Sequence, residues 1–311
     1  MLKDSVAFQK VLSDNLSLFE KYRMKIDNIE NYNLKSFLKQ NPVKSANCVR
    51  DTFEIEFYID DFYKIMLSEM ELFLGKAVLQ NLESRKKNWS SYNWKFVTYY
   101  YMTFFYCTSL MRMLCKGCTY VDAEFKDFLN SYYTINIPKG NYYYSVSSKS
   151  DTSITVLFQK TSGTVHEETW IILFEKILPE LLLSATERDE IKFLRRISTI
   201  SGTLTSQFPS TARNFYNYNP ASILKDFDKE LSIEISNDDF FKKIQQEENI
   251  GIDIKNKARY TLYLSKIMSC IVRNLYENYQ NRLRIKTDVY KEIRKIESKQ
   301  KLTKADLFIE T

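Results

Sequence analysis

Residues 141–160 read NYYYSVSSKSDTSITVLFQK. Two runs rich in aromatic and β-branched residues, YYYSV and SITVLFQ, flank the polar SSKSD. Such side chains suit a pleated, half-buried surface, and a polar break between them suits a turn, so the stretch predicts a β-hairpin. It decides the fold because the segments on both sides carry helical spacing instead. Before it, 88–116 is apolar almost all round (Trp89, Trp94, Val97, Tyr101, Phe104, Phe105, Leu110, Met113), the pattern of a central buried helix. A shorter helix is expected at 120–133. Further upstream, 2–26 reads as a helix, and 50–84 as one or two helices through Phe53, Phe57, Phe62, Ile65 and Met66.

After the hairpin, helices are expected at 166–183 and 187–206. Ser210 or Thr211 can cap a further helix, which Pro220 limits. More helices are expected at 237–248, 254–279 and 287–299. The expected fold is therefore mainly α, a multi-helix bundle with a β-hairpin inserted near 141–160. Its expected organisation is a helical segment at 1–87, a bundle at 88–230, and a C-terminal helical segment with a basic tail at 231–311.

Composition narrows the class. With 44% hydrophobic and 15% aromatic residues, the 311-residue chain can bury a large core. Only 6 Gly and 5 Pro punctuate it, which favours long helices over many tight turns. The richness in Lys, Asn, Tyr, Phe and Ile points to an AT-rich prokaryotic genome. The longest apolar stretch, Phe96 to Met111, falls short of the ~20 residues a membrane span needs. The N-terminus carries charges throughout, so a soluble, cytoplasmic protein that does not engage a membrane is expected.

Neither a metal nor a cofactor is expected. The 5 cysteines are an odd number and read as reduced thiols. Cys115 and Cys118 form a CxxC, but there is no second pair and only 1 histidine, where a zinc site needs about four ligands. This CxxC is expected to close a helix at Gly117, not to open one as redox pairs do. No nuclease spacing joins the acidic pairs Asp60-Asp61, Glu167-Glu168 and Asp238-Asp239. The phosphate-cradling, dinucleotide-binding and nucleophile-elbow glycine motifs are absent, so ATPase, dinucleotide and esterase chemistry have no sequence support.

The net charge of +6 is concentrated. Between Gln280 and Lys304 there are nine Lys/Arg and three Asp/Glu, and the rest of the chain has 36 of each sign. Arg282, Arg284, Lys286, Lys291, Arg294 and Lys295 are the candidate nucleic-acid-binding residues. They would give salt-sensitive, sequence-blind attraction to RNA or DNA, or else form a solvated face.

One motif points to chemistry. Residues 210–218 read STARNFYNY. Arg213-Asn214 followed by Tyr218 resembles the RNxxxH motif of HEPN domains, with tyrosine where that family has histidine. HEPN domains are helical bundles of prokaryotic toxins and anti-phage systems, and many are metal-independent ribonucleases acting as dimers. The resemblance implies Arg213, Asn214 and Tyr218 as catalytic candidates and covers at most 88–230. A look-alike, RNLYENY at 273–279, lies in mid-helix.

Attack by a ribose 2′-hydroxyl needs a proton acceptor that works near neutrality and a cation on the phosphate. Arginine offers the cation and a planar donor fork. Tyrosine, titrating near 10, is a poor base. His166, the single histidine, is the remaining acid/base candidate. It sits behind Thr164, a plausible helix cap with a glutamate three residues on, and can equally be an exposed first-turn residue.

Three functions stay open. The first is a non-catalytic or weakly catalytic HEPN-like subunit of a prokaryotic, anti-phage complex with protein partners or as a homodimer. The second is an active metal-independent HEPN ribonuclease. The third is a nucleic-acid-binding module using the basic tail.

Overall fold

The computed structural model describes residues 33–84, 92–183, 205–218 and 253–283, with the single positions 195, 198 and 295. The helices expected at 2–26 and 237–248, and nearly all of those at 187–206 and 287–299, lie outside these residues.

The elements run in the order α1 (Leu34–Gln40), β1 (Ser45–Val49), β2 (Thr52–Tyr58), α2 (Ile59–Ser84), α3 (Tyr92–Met113), β3 (Lys116–Val121) and α4 (Ala123–Tyr133). Then follow β4 (Gly140–Lys149), β5 (Ser153–Thr161), α5 (Val165–Ile172), a π turn (Leu173–Ile177), α6 (Leu178–Leu183), α7 (Phe208–Tyr218) and α8 (Ile254–Leu283). The strands form one five-stranded antiparallel sheet in the order β1-β2-β5-β4-β3. The expectation of a helical bundle with one inserted hairpin is therefore incorrect: the fold is mixed α/β. The expected hairpin is present as β4 and β5, with a bulge between Val146 and Ser148, but it is the middle of a sheet.

Two strands were hidden in segments read as helical. In β2, Phe53, Ile55 and Phe57 are buried while Glu54 and Glu56 face outward, a period of two. Those three pair with Phe158, Val156 and Ile154 of β5, and the Phe53 and Phe158 rings stack at 4.4 Å. At the other edge, Cys115 adopts a left-handed φ of 56°, which ends the helix and sends the chain into β3. The Cys115–Cys118 pair thus spans a helix-to-strand turn. Burial pushes both thiols up to about 12, away from thiolate chemistry at neutral pH.

The helices α2 and α3 pack lengthwise, with α2 also lying against β2 and β5, and α8 packs on α3. A continuous buried cluster runs from Leu34 to Val272. The polar residues of α3 cost little inside it. Thr98, Thr103 and Thr108 donate to the carbonyls of Trp94, Tyr99 and Phe104 one turn back. Ser109 donates across to the Met70 carbonyl of α2 at 3.0 Å.

Arg112 is the charged exception. Its Nε donates to Glu69 Oε2 at 2.5 Å, Nη1 to the Lys116 carbonyl at 3.0 Å and Nη2 to the Cys118 carbonyl at 3.4 Å. Glu69 Oε1 accepts the Leu34 N–H, and Tyr144 donates to its other oxygen. Gly117 makes room for this: a Cβ there would lie 1.7 Å from Arg112 Nη1.

The stretch expected to be one helix at 166–183 is interrupted by the π turn. Pro179 gives the physical reason. It has no N–H and its ring crowds the carbonyl four residues back, so the preceding turn widens and Leu178 N–H bonds to Leu173.

Candidate functional site

The Tyr100 hydroxyl gathers three elements. It lies 3.2 Å from His166 Nδ1 of α5 and 3.1 Å from Ser210 Oγ of α7, and it accepts the Trp170 Nε1 hydrogen at 3.1 Å. Tyr100 and Trp170 are wholly buried. Over this group lies Arg213, its guanidinium carbon 5.4 Å from the Tyr100 ring centre and 5.6 Å from that of Tyr101. The half-buried His166 ring packs 4.2 Å from Phe104 and 5.7 Å from Tyr101, measured between ring centres.

Local sequence explains how the parts are held. Thr164 accepts the Glu167 N–H while Glu167 accepts the Thr164 N–H, a reciprocal cap that fixes the first turn of α5 and hence His166. Glu168 accepts the Gly163 N–H at 2.8 Å. Helix α7 starts at Phe208, earlier than expected, with Pro209 in its first turn, where a missing N–H costs nothing. Ser210 and Thr211 are therefore inside the helix and do not cap it; Ser210 turns inward to Tyr100. Ser206 donates to Glu175 at 2.6 Å and ties the entry of α7 to the π turn.

The electrostatics are unusual for a partly buried arginine. Arg213 Nη1 donates to Asn214 Oδ1 at 2.8 Å, whereas Nε is buried without a partner among the described residues. Among the described residues no carboxylate forms an ion pair with it. Burial, and then the Arg213 charge, bring His166 down from 6.5 to about 4, with Glu167 opposing them, so the imidazole is neutral at pH 7. Burial pushes the Tyr100 hydroxyl above its ordinary value, against the pull of Ser210, Trp170 and Arg213. The corner thus holds a cation with an unused donor, a neutral imidazole and two hydroxyls, a set that suits an anion with several acceptor oxygens.

The structure thus brings together two of the candidates read from sequence, Arg213 and His166, with Asn214 bonded to the first. Tyr218 is 71% exposed at the last residue of α7, outside the cluster. Of the basic-tail candidates, Arg282 is in the last turn of α8 and Lys295 is an exposed helical position; Arg284, Lys286, Lys291 and Arg294 lie outside the described residues. Tyr100, Ser210 and Trp170 were missed. Nothing local distinguishes a tyrosine within FVTYYYMTFFY from core, and its partners are 66, 70 and 110 residues away. Among the described residues no three His, Cys, Asp or Glu side chains gather to hold a metal, and no helix is long and apolar enough to cross a membrane. Compared with known protein families, curated proteins and solved structures, the chain gives no match.

One pH dependence follows. His166 binds a proton in the unfolded chain near pH 6.5 but resists it in the folded protein down to about 4. Its stabilising contribution is complete above pH 6.5 and is lost as pH falls through 4. Allowing for its partial exposure, acidification from pH 7 to 4 should cost about 1–2 kcal/mol through this residue. Urea midpoints at both pH values should show a smaller acid-side loss in His166→Gln; equal losses in variant and parent would exclude the effect.

Proposed function

We propose that the α3–α5–α7 corner is a metal-independent phosphodiester site that binds RNA and turns it over slowly at most. The observation carrying this reading is Arg213: its guanidinium stands over Tyr100, beside His166, and among the described residues its buried Nε has no acceptor and no carboxylate pairs with it. A phosphate oxygen would satisfy that donor. His166 takes the proton-transfer role that Tyr218, exposed at the end of α7, stands too far outside to fill.

A bound phosphate would also offset the Arg213 charge and so raise the proton affinity of His166. Burial, the larger cause of the depression, persists, which favours slow turnover over fast. The weakly catalytic, HEPN-like subunit reading is kept on this ground, and anti-phage complex membership goes with it as part of the proposal.

The test is incubation of the full chain with labelled RNA in EDTA, alongside equilibrium binding. Arg213→Ala is expected to weaken RNA binding by roughly 10- to 100-fold, the worth of a charged hydrogen-bond donor. Any cleavage should vanish in both Arg213→Ala and His166→Gln. Unchanged binding by Arg213→Ala would refute the site.

A further inference from the structure

The ends of α3 and α7 beside this corner carry large exposed side chains. Tyr100 meets Ser210 and Arg213, whereas Phe96 meets Tyr216 at 4.9 Å between ring centres. Moving back along α3 therefore means moving forward along α7, and the two helices are antiparallel. Trp94 comes two residues before Phe96 and Tyr218 two residues after Tyr216, so both stand at the same end of the pair. Trp94 is 57% exposed and Tyr218 71%.

Each shares a stripe with the corner. On α3, Trp94 and Tyr101 are two turns apart on one face, and Tyr101 lies under Arg213. On α7, Thr211, Asn214 and Tyr218 form the solvent-facing stripe, and Asn214 is bonded to Arg213. At about 1.5 Å rise per residue, Tyr218 is on the order of 7.5 Å along the axis from Arg213. That is roughly two nucleotides of a stacked strand at about 3.4 Å each.

We propose that Trp94 and Tyr218 are base-stacking platforms that make the phosphate site at Arg213 selective for single-stranded RNA. The assignment rests on the phosphodiester reading of that site. An aromatic face is available to any unpaired base but not to bases closed in a duplex, so the platforms would discriminate strandedness and tolerate sequence. The charge agrees: the cation beside the platforms is paired with no carboxylate among the described residues, and a strand that stacks on them brings a phosphate to it.

The test uses the full chain and three probes: a six-nucleotide uridine oligomer, the same ribose-phosphate backbone without bases, and an RNA duplex of equal length. Anisotropy titrations should rank the oligomer tightest. Trp94→Ala and Tyr218→Ala, both at exposed positions, should each weaken oligomer binding roughly tenfold and leave the abasic backbone unchanged. Arg213→Ala should weaken both single-stranded probes. If Arg213→Ala weakens both while the aromatic variants bind like the parent, the platforms are overturned and the phosphate site stands. If Arg213→Ala binds every probe like the parent, the phosphate site itself is overturned. Equal affinity of the parent for oligomer and duplex would also overturn the platforms.

Discussion

Arg112→Met is expected to destabilise the protein by about 3–5 kcal/mol, because it strands Glu69 as a buried charge without a counter-ion. The two side chains retain only 4% and 10% of their exposure, so water cannot solvate the survivor. Methionine fills much of the volume but leaves the Lys116 and Cys118 carbonyls without their donor. The double variant Glu69→Gln/Arg112→Met should recover much of the loss. Its neutral amide still accepts the Leu34 N–H, and neither position of the former pair carries a charge. Urea unfolding of both variants checks this. A double variant as unstable as Arg112→Met alone would show that packing around the guanidinium, not charge pairing, carries the stability.

Tyr100→Phe is expected to cost about 2–4 kcal/mol, more than one hydrogen bond is worth, because one oxygen serves three partners. The Trp170 indole N–H is wholly buried and would be left without an acceptor, and His166 Nδ1 and Ser210 Oγ would lose their shared neighbour. The cost should be strongly non-additive. With Trp170 already changed to Phe, the further change Tyr100→Phe should cost less by about 1 kcal/mol or more, within the coupling found for residues sharing a network. A double-mutant cycle measures this, and strict additivity would mean that the hydroxyl and the indole act independently. Loss of RNA binding in Tyr100→Phe beyond its loss of stability would tie the network to Arg213, which rests on the same ring.

How much of this could be read from the chain depends on the range of the causes. The strands β4 and β5, the long α3 and the cap on α5 are set by neighbours within a few residues, and their patterns are plain in the sequence. The strand β2 was lost because Phe53 and Phe57, four residues apart, also fit a helical stripe, and the helix α2 follows at Ile59 without a break. The alternation of Phe53, Ile55 and Phe57 with Glu54 and Glu56 was the available sign. The strand β3 was lost to Gly117, read as a helix stop. Its real role is to admit the Arg112 guanidinium, a tertiary requirement. In the candidate site, Arg213 and His166 were visible as residue types with the right chemistry. Their meeting was not, because a tyrosine joins them from a third helix.

The Arg112 guanidinium has a further consequence at the border of the sheet. Strand β3 is an edge, and an edge strand offers unpaired main-chain groups that recruit strands from other molecules. Arg112 donates to two of its carbonyls from within the same chain, so those two acceptors are already engaged when another strand approaches. The opposite border, β1, is only five residues long and is preceded by Pro42 and Lys44, which discourage pairing by other means. One buried cation therefore blunts part of a sheet border, in addition to pairing with Glu69 in the core.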